Sequence, residues 1–275
     1  MPLLTPGMAF MNGRQQPHHW ISYASSDVSI DGHGFPDLVV FDLDMCAWSP
    51  EMYMLNEIPT REKDSVEGKL YPDDPDPVYA EMEGVVGARS GYDTIRLFPH
   101  TRRVMRDYYN GLYPKNMRLA AASSADTPKA VRIGRGAMKI LEVLPGVTVE
   151  DVFRKGWEDD WEKGYESNMQ IGRTSPLSSD KSRTHFPILR EKTGVPYHRM
   201  LFFDDSVWSD HCQMVALGCR EEIPKVGEWG VVTQETPRGF MVSEWESGLK
   251  KFANQATAIS NAQKGVDSAD EEQQR

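Results

Sequence analysis

Two aspartates separated by one residue, Asp42 and Asp44, follow the apolar run Leu38-Val39-Val40-Phe41, and a second acidic pair, Asp204-Asp205, follows Met200-Leu201-Phe202-Phe203. A third run, Met117 to Ala122, ends in the hydroxyls of Ser123 and Ser124. Hard oxygen ligands in this number suit Mg²⁺, which takes one or two carboxylates together with waters and phosphate oxygens. Crowded carboxylates repel one another unless a cation or a proton joins them. A carboxylate held beside such an ion can attack phosphorus and form an aspartyl phosphate, which splits one difficult displacement into two easier ones. A second carboxylate two residues on can protonate the leaving oxygen and then deprotonate the attacking water. No His and Cys cluster of the zinc type stands near these residues in sequence.

The three groups meet only if the runs that precede them lie side by side. Leu38–Phe41 and Met200–Phe203 are short, continuous and apolar, the pattern of strands covered on both faces as in parallel sheets. Helical patterns alternate with them. Pro99 opens one that carries Val104, Met105, Tyr108 and Leu112 at helical spacing, and Thr127-Pro128 opens a second that continues through Ile140 and Leu141 to stop at Pro145-Gly146. A third is expected from Thr184 to Lys192 with Gly194 beyond its end, a fourth from about Ser209 to Leu217, and a last one bearing Trp245, Leu249 and Phe252. Strand and helix in alternation predict an α/β fold, a Rossmann-like three-layer open parallel sheet. In such sheets the ligand site lies beyond the C-terminal strand ends, where the aspartates and serines stand.

FDLDMCAW, AAASS and FFDD, together with THFPILREKTGVPYHRMLFFDD, resemble the magnesium-dependent phosphatase-1 family of the haloacid dehalogenase (HAD) superfamily. The similarity spans about residues 36 to 255. It implies that Asp42 is the nucleophile and Asp44 the acid/base, with the Asp44 backbone carbonyl on the metal and Asp204 and Asp205 completing the Mg²⁺ site. Ser123 would hold a phosphoryl oxygen, and Lys181 would neutralise the phosphoryl group and the nucleophile. Two positions depart from the family pattern. Cys46 stands where a Thr is usual, and Ser124 where an Arg is frequent, so Cys46 and Ser124 are expected at the substrate with a weaker donor and without a phosphate clamp. The activity implied is Mg²⁺-dependent hydrolysis of a phosphomonoester, phosphotyrosine-like or phosphosugar, carried on a small molecule or a protein. The alternative is a catalytically weakened relative that binds phosphorylated ligands or a protein partner. Phosphomutase transfer is disfavoured because no large cap is evident in the sequence.

At 275 residues the chain suits one large decorated domain or two small ones. Residues 1–35 read as a loosely draped arm, 36–255 as the catalytic domain, 49–95 as a flap or small cap inserted after the first strand rather than a layer of core, and 256–275 as a disordered tail. Asp73, Asp74 and Asp76 alternate with prolines and read as a turn rather than a calcium loop. Lys and Arg number 31 against 41 Asp and Glu, a net charge of −10, which argues against nucleic acid and anionic membranes as partners. Three cysteines without a Cys-x-x-Cys pair fit a reducing compartment, and neither a signal peptide nor a membrane span is legible. The sequence therefore predicts a cytoplasmic protein with nuclear access possible.

Overall fold

Alternation along three adjacent strands divides their side chains between two cores. Strand β1 (Leu38–Phe41) sends Val39 and Phe41 into one cluster and Leu38 and Val40 into another. Strands β2 (Arg118–Ser123) and β4 (Met200–Asp204) divide theirs the same way. A sheet apolar on both faces must be covered on both, and the computed structural model, described for residues 34–157, 167–206 and 209–273, shows how. With β3 (Met169–Ile171) and β5 (Val232–Glu235), five strands lie in the order β5-β4-β1-β2-β3, all parallel. Val40 pairs with Phe202 on one side and Ala120 on the other, so β1 is central.

One face is packed by helices α1 (Pro99–Tyr109), α2 (Pro128–Met138) and α5 (Val242–Gln273), through Val104, Met105, Ile133, Trp245 and Phe252. The other is packed by α3 (His185–Thr193) and α4 (His211–Gly218), through Phe186, Leu189 and Val215. The α/β three-layer architecture is the expected one. Thr127 caps α2 by accepting from the Ala130 amide at 3.0 Å, and Gly194 ends α3 at a φ of 70°, a left-handed conformation that favours glycine.

Two expectations are corrected. Helix α2 ends at Met138 rather than at Pro145-Gly146: residues Glu142–Leu144 form an extended hairpin with Val147–Thr148, and Ile140 and Leu141, whose spacing suits a helix, are buried in the turn between. A short apolar run is compatible with either state, and tertiary packing decides. Residues 48–97 are not a mere surface insertion. Trp48–Ser49, Asp93–Leu97, Glu83–Ser90 and Ser65–Lys69 form a four-stranded antiparallel sheet, whose Val85, Ala88, Ile95 and Leu97 join the larger core. In Asp93–Leu97 the exposed Asp93 and Arg96 are interleaved with the buried Ile95 and Leu97, whereas Ser65–Lys69 at the sheet's edge buries no side chain. Through its described residues the 256–275 segment continues α5, which runs to Gln273. Ala, Gln, Lys and Glu in this stretch are good helix formers, and no proline interrupts them. In the acidic turn Asp76 caps a short helix at the Val78 amide, and the buried Asp74 side chain pairs with Arg106 at 2.8 Å rather than facing water. The 1–33 part of the arm lies outside the described residues.

Candidate active site

Because β1 is flanked by β2 on one side and β4 on the other, their C-terminal ends deliver Asp42, Ser123 and Asp204 to one edge. The backbone turns sharply after each acidic strand: Met45 and Ser206 have φ of 55° and 52°, values that cost a non-glycine residue energy and recur where geometry is over-determined. The Ser206 amide donates to Asp204 Oδ1 at 2.7 Å and fixes that carboxylate.

Lys181 is buried, and its ammonium bridges Asp42 Oδ1 at 2.7 Å and Asp204 Oδ2 at 2.6 Å. Its loop is tied by hydrogen bonds: Asp180 receives bonds from the Ser182 amide and hydroxyl, and the Thr184 hydroxyl donates to the Asp180 carbonyl. Burial works against the Lys181 charge, yet the Asp204 and Asp42 carboxylates outweigh it and raise the lysine pKa. Burial likewise acts to raise Asp204, but Lys181 and His211 hold it below the ordinary carboxylate range. For Asp42 burial prevails over Lys181 and lifts the carboxyl to about 6. Asp205 is raised to about 7, by burial first and then by Asp42 and Asp204.

Asp42, Asp204 and Asp205 each offer a carboxylate oxygen within 4.8 Å of the others. Three acids face one buried lysine, and two of them are pushed upward by burial and mutual repulsion, so the donor set fits a hard divalent cation such as Mg²⁺. The Asp44 carboxylate lies outside that cluster. Its Oδ1 accepts from the Trp48 indole and its Oδ2 from the Met52 amide, both at 2.9 Å, and burial followed by the Asp42 charge raises it to about 7. A carboxyl poised near neutrality beside an acceptor site suits proton transfer.

These groups line a cavity of about 530 Å³ together with Ser123 and Ser124. The Ser123 carbonyl is fixed from beneath: the fully buried His185 places Nε2 at 3.1 Å from it and 3.0 Å from the Gly172 carbonyl. Cys46 is the exception among the expected residues. It is fully buried in the larger core, does not line the cavity, and burial pushes its thiol well above the usual range. Met45 turns the chain, and the side chain after it points into the sheet's core rather than toward the strand ends.

The sequence reading missed several lining residues. His211 lies with Nδ1 3.3 Å from Asp204 Oδ2 and Nε2 3.2 Å from the Ser179 carbonyl oxygen. Arg173, 3.5 Å from Asp126, brings a guanidinium to the cavity that also holds Ser124. Glu51 and Tyr53, from the segment after β1, and Met214 complete the mouth. Only the strand-end rule could have flagged Arg173, two residues past β3; His211 and Tyr53 carry no spacing signal.

The sequence model of the acid phosphatase family matches residues 34–255. The chain belongs to the acid phosphatase family. Its match runs from just before β1 into α5 and so takes in every strand and loop that lines the cavity. This is a HAD-type family of phosphoric monoester hydrolases, as the motif resemblance implies. Human "Magnesium-dependent phosphatase 1" is 26% identical over 222 residues, which cover 81% of this chain and 90% of the human protein.

Proposed function

We propose that this member of the acid phosphatase family is a Mg²⁺-dependent phosphatase that hydrolyses a phosphomonoester through an aspartyl phosphate on Asp42. The observation that carries the reading is the buried Asp42–Lys181–Asp204 bridge at the base of the cavity. Mg²⁺, held by Asp42, Asp204 and Asp205, would neutralise phosphoryl oxygens and keep Asp42 ionised. An Asp42 oxygen attacks phosphorus as the bond from phosphorus to the ester oxygen breaks, and the Asp44 carboxyl gives its proton to the leaving oxygen. Water then attacks the same phosphorus, passes a proton to Asp44 and releases the Asp42 carboxylate. Lys181, within reach of Asp42, lowers the cost of negative charge on the phosphoryl group, and the hydroxyls of Ser123 and Ser124, which line the cavity, donate to its oxygens.

Ser124, Arg173, Ser179 and Ser209 give the cavity hydrogen-bonding walls and Tyr53 gives it an exposed aromatic edge, which accommodates phosphosugar and phosphotyrosine-like substrates respectively. The weakened-binder alternative drew on Cys46 and Ser124, and loses the first of these because Cys46 sits in the core. Turnover of p-nitrophenyl phosphate with Mg²⁺ and after EDTA tests the proposal: Mg²⁺-dependent release of p-nitrophenol is expected, and equal rates in EDTA contradict it.

A further inference from the structure

A second cavity, of about 260 Å³, opens between the first turn of α1 and the antiparallel sheet, and it shares no lining residue with the catalytic cavity. Arg102 lines it and is only 6% exposed. Its Nε, Nη1 and Nη2 donate to the carbonyls of Glu142, Leu70 and Val86 at 3.2, 3.1 and 3.2 Å. A guanidinium has five N–H donors, so about two are left over. Carbonyl oxygens supply dipoles but no charge, and among the described residues no carboxylate pairs with Arg102. The nearby acids are committed elsewhere: Asp74 to Arg106 and Arg103, and the Glu142 carboxylate to Arg61 and the Val85 amide.

Arg96, from the neighbouring strand, lines the same cavity and likewise has no ion-pair partner among the described residues. Burial first, and the Arg96 charge after it, push the Arg102 pKa down, with Tyr71 opposing. A purely structural strut explains the three carbonyl bonds of Arg102 but leaves two like charges facing one space. A buried, uncompensated cation is costly, and a second cation beside it adds to the cost. An anion in the cavity removes both penalties, because the planar forks of arginine match the oxygens of phosphate in pairs. Asp73 and Asp74 also line the cavity and oppose an anion; Asp73 is exposed, where a charge is screened by water, and the buried Asp74 charge is matched by Arg106 and Arg103.

We propose that this cavity is a second anion site, which takes a phosphate-class oxyanion between Arg96 and Arg102. The ligand is either free phosphate or the phosphoryl group of a small phosphorylated metabolite. The proposal is independent of the catalytic reading, since none of its residues belongs to that machinery.

Equilibrium dialysis of the full chain against radiolabelled inorganic phosphate, without Mg²⁺, tests it. Arg96→Gln, a change at an exposed position that leaves the fold intact, is expected to weaken one class of bound phosphate by about tenfold or more, the worth of a charge-assisted contact. Arg102→Gln is expected to abolish the same class, with circular dichroism as the control on folding. O-phosphoserine then separates the sources: competition at concentrations similar to phosphate assigns a carried phosphoryl group, and no competition assigns free phosphate. A wild-type protein that binds no phosphate, or one whose binding is unchanged by Arg96→Gln, overturns the proposal.

Discussion

Lys181 neutralises two buried carboxylates with one ammonium, and its removal is more than the loss of a contact. Lys181→Met leaves Asp42 and Asp204 as neighbouring buried anions, and breaking a buried pair in this way costs roughly 3–5 kcal/mol. We expect a lower Tm by thermal denaturation and a partial recovery on adding Mg²⁺; a Tm equal to wild type would show that the bridge does not form. His185 provides a pH signature. Burial, then the Lys181 charge, lowers its pKa to about 4 from the usual 6.5, so the unfolded chain binds its proton first as pH falls. Its contribution is fully present above about pH 6.5 and is lost as pH falls toward 4, at most about 3 kcal/mol. Asp42, Asp44 and Asp205, whose pKa values are raised, act in the opposite sense over part of that window, so the measurement is the difference between the two proteins: in urea titrations the stability of wild type relative to His185→Gln should fall from pH 6.5 toward 4, and a constant difference would remove His185 as the cause. Cys46→Thr belongs with stability too. Because the side chain lies in the core, the substitution should leave kcat unchanged and cost about 1–2 kcal/mol for a buried hydroxyl, read as a drop in urea midpoint.

Elements whose signal is local were legible in the sequence. The Thr127-Pro128 start of α2 and the Gly194 end of α3 are written in residue chemistry that works without tertiary help, and both stand in the structure. Thr127→Ala should accordingly cost about 1 kcal/mol in chemical denaturation, and no change would mean that the cap is replaced by water. The end of α2 and the antiparallel sheet were not legible for the opposite reason. Ile140 and Leu141 satisfy a helical pattern but are buried in a turn, and strand Glu83–Ser90 mixes glycines and charges with buried Val85 and Ala88 because only one of its faces meets the core. The same limit applies within the cavity. Asp42, Asp44, Ser123, Asp204 and Asp205 each end or follow an apolar run, whereas His211, Arg173 and Tyr53 reach it from segments whose place depends on the finished fold.

At the scale of the whole molecule, the site works because β1 stands in the middle of the sheet with one neighbour on each side, which gathers acids and hydroxyls from chain positions far apart. The net charge of −10 sets the background against which Asp42, Asp204 and Asp205 would meet a phosphate dianion, and in the proposed reaction it makes the cation and Lys181 necessary rather than auxiliary. No helix among the described residues is long and apolar enough to cross a membrane. The central claim is that phosphorus is attacked by Asp42. The Asp44→Asn variant is the place to look, since p-nitrophenol leaves readily without a general acid, while hydrolysis of the intermediate still needs the missing base. After this variant is mixed with radiolabelled p-nitrophenyl phosphate and Mg²⁺ and quenched in acid, the account predicts label on the peptide that contains Asp42 and none in Asp42→Asn. Continued turnover by Asp42→Asn, or label on a peptide from elsewhere in the chain, would contradict it.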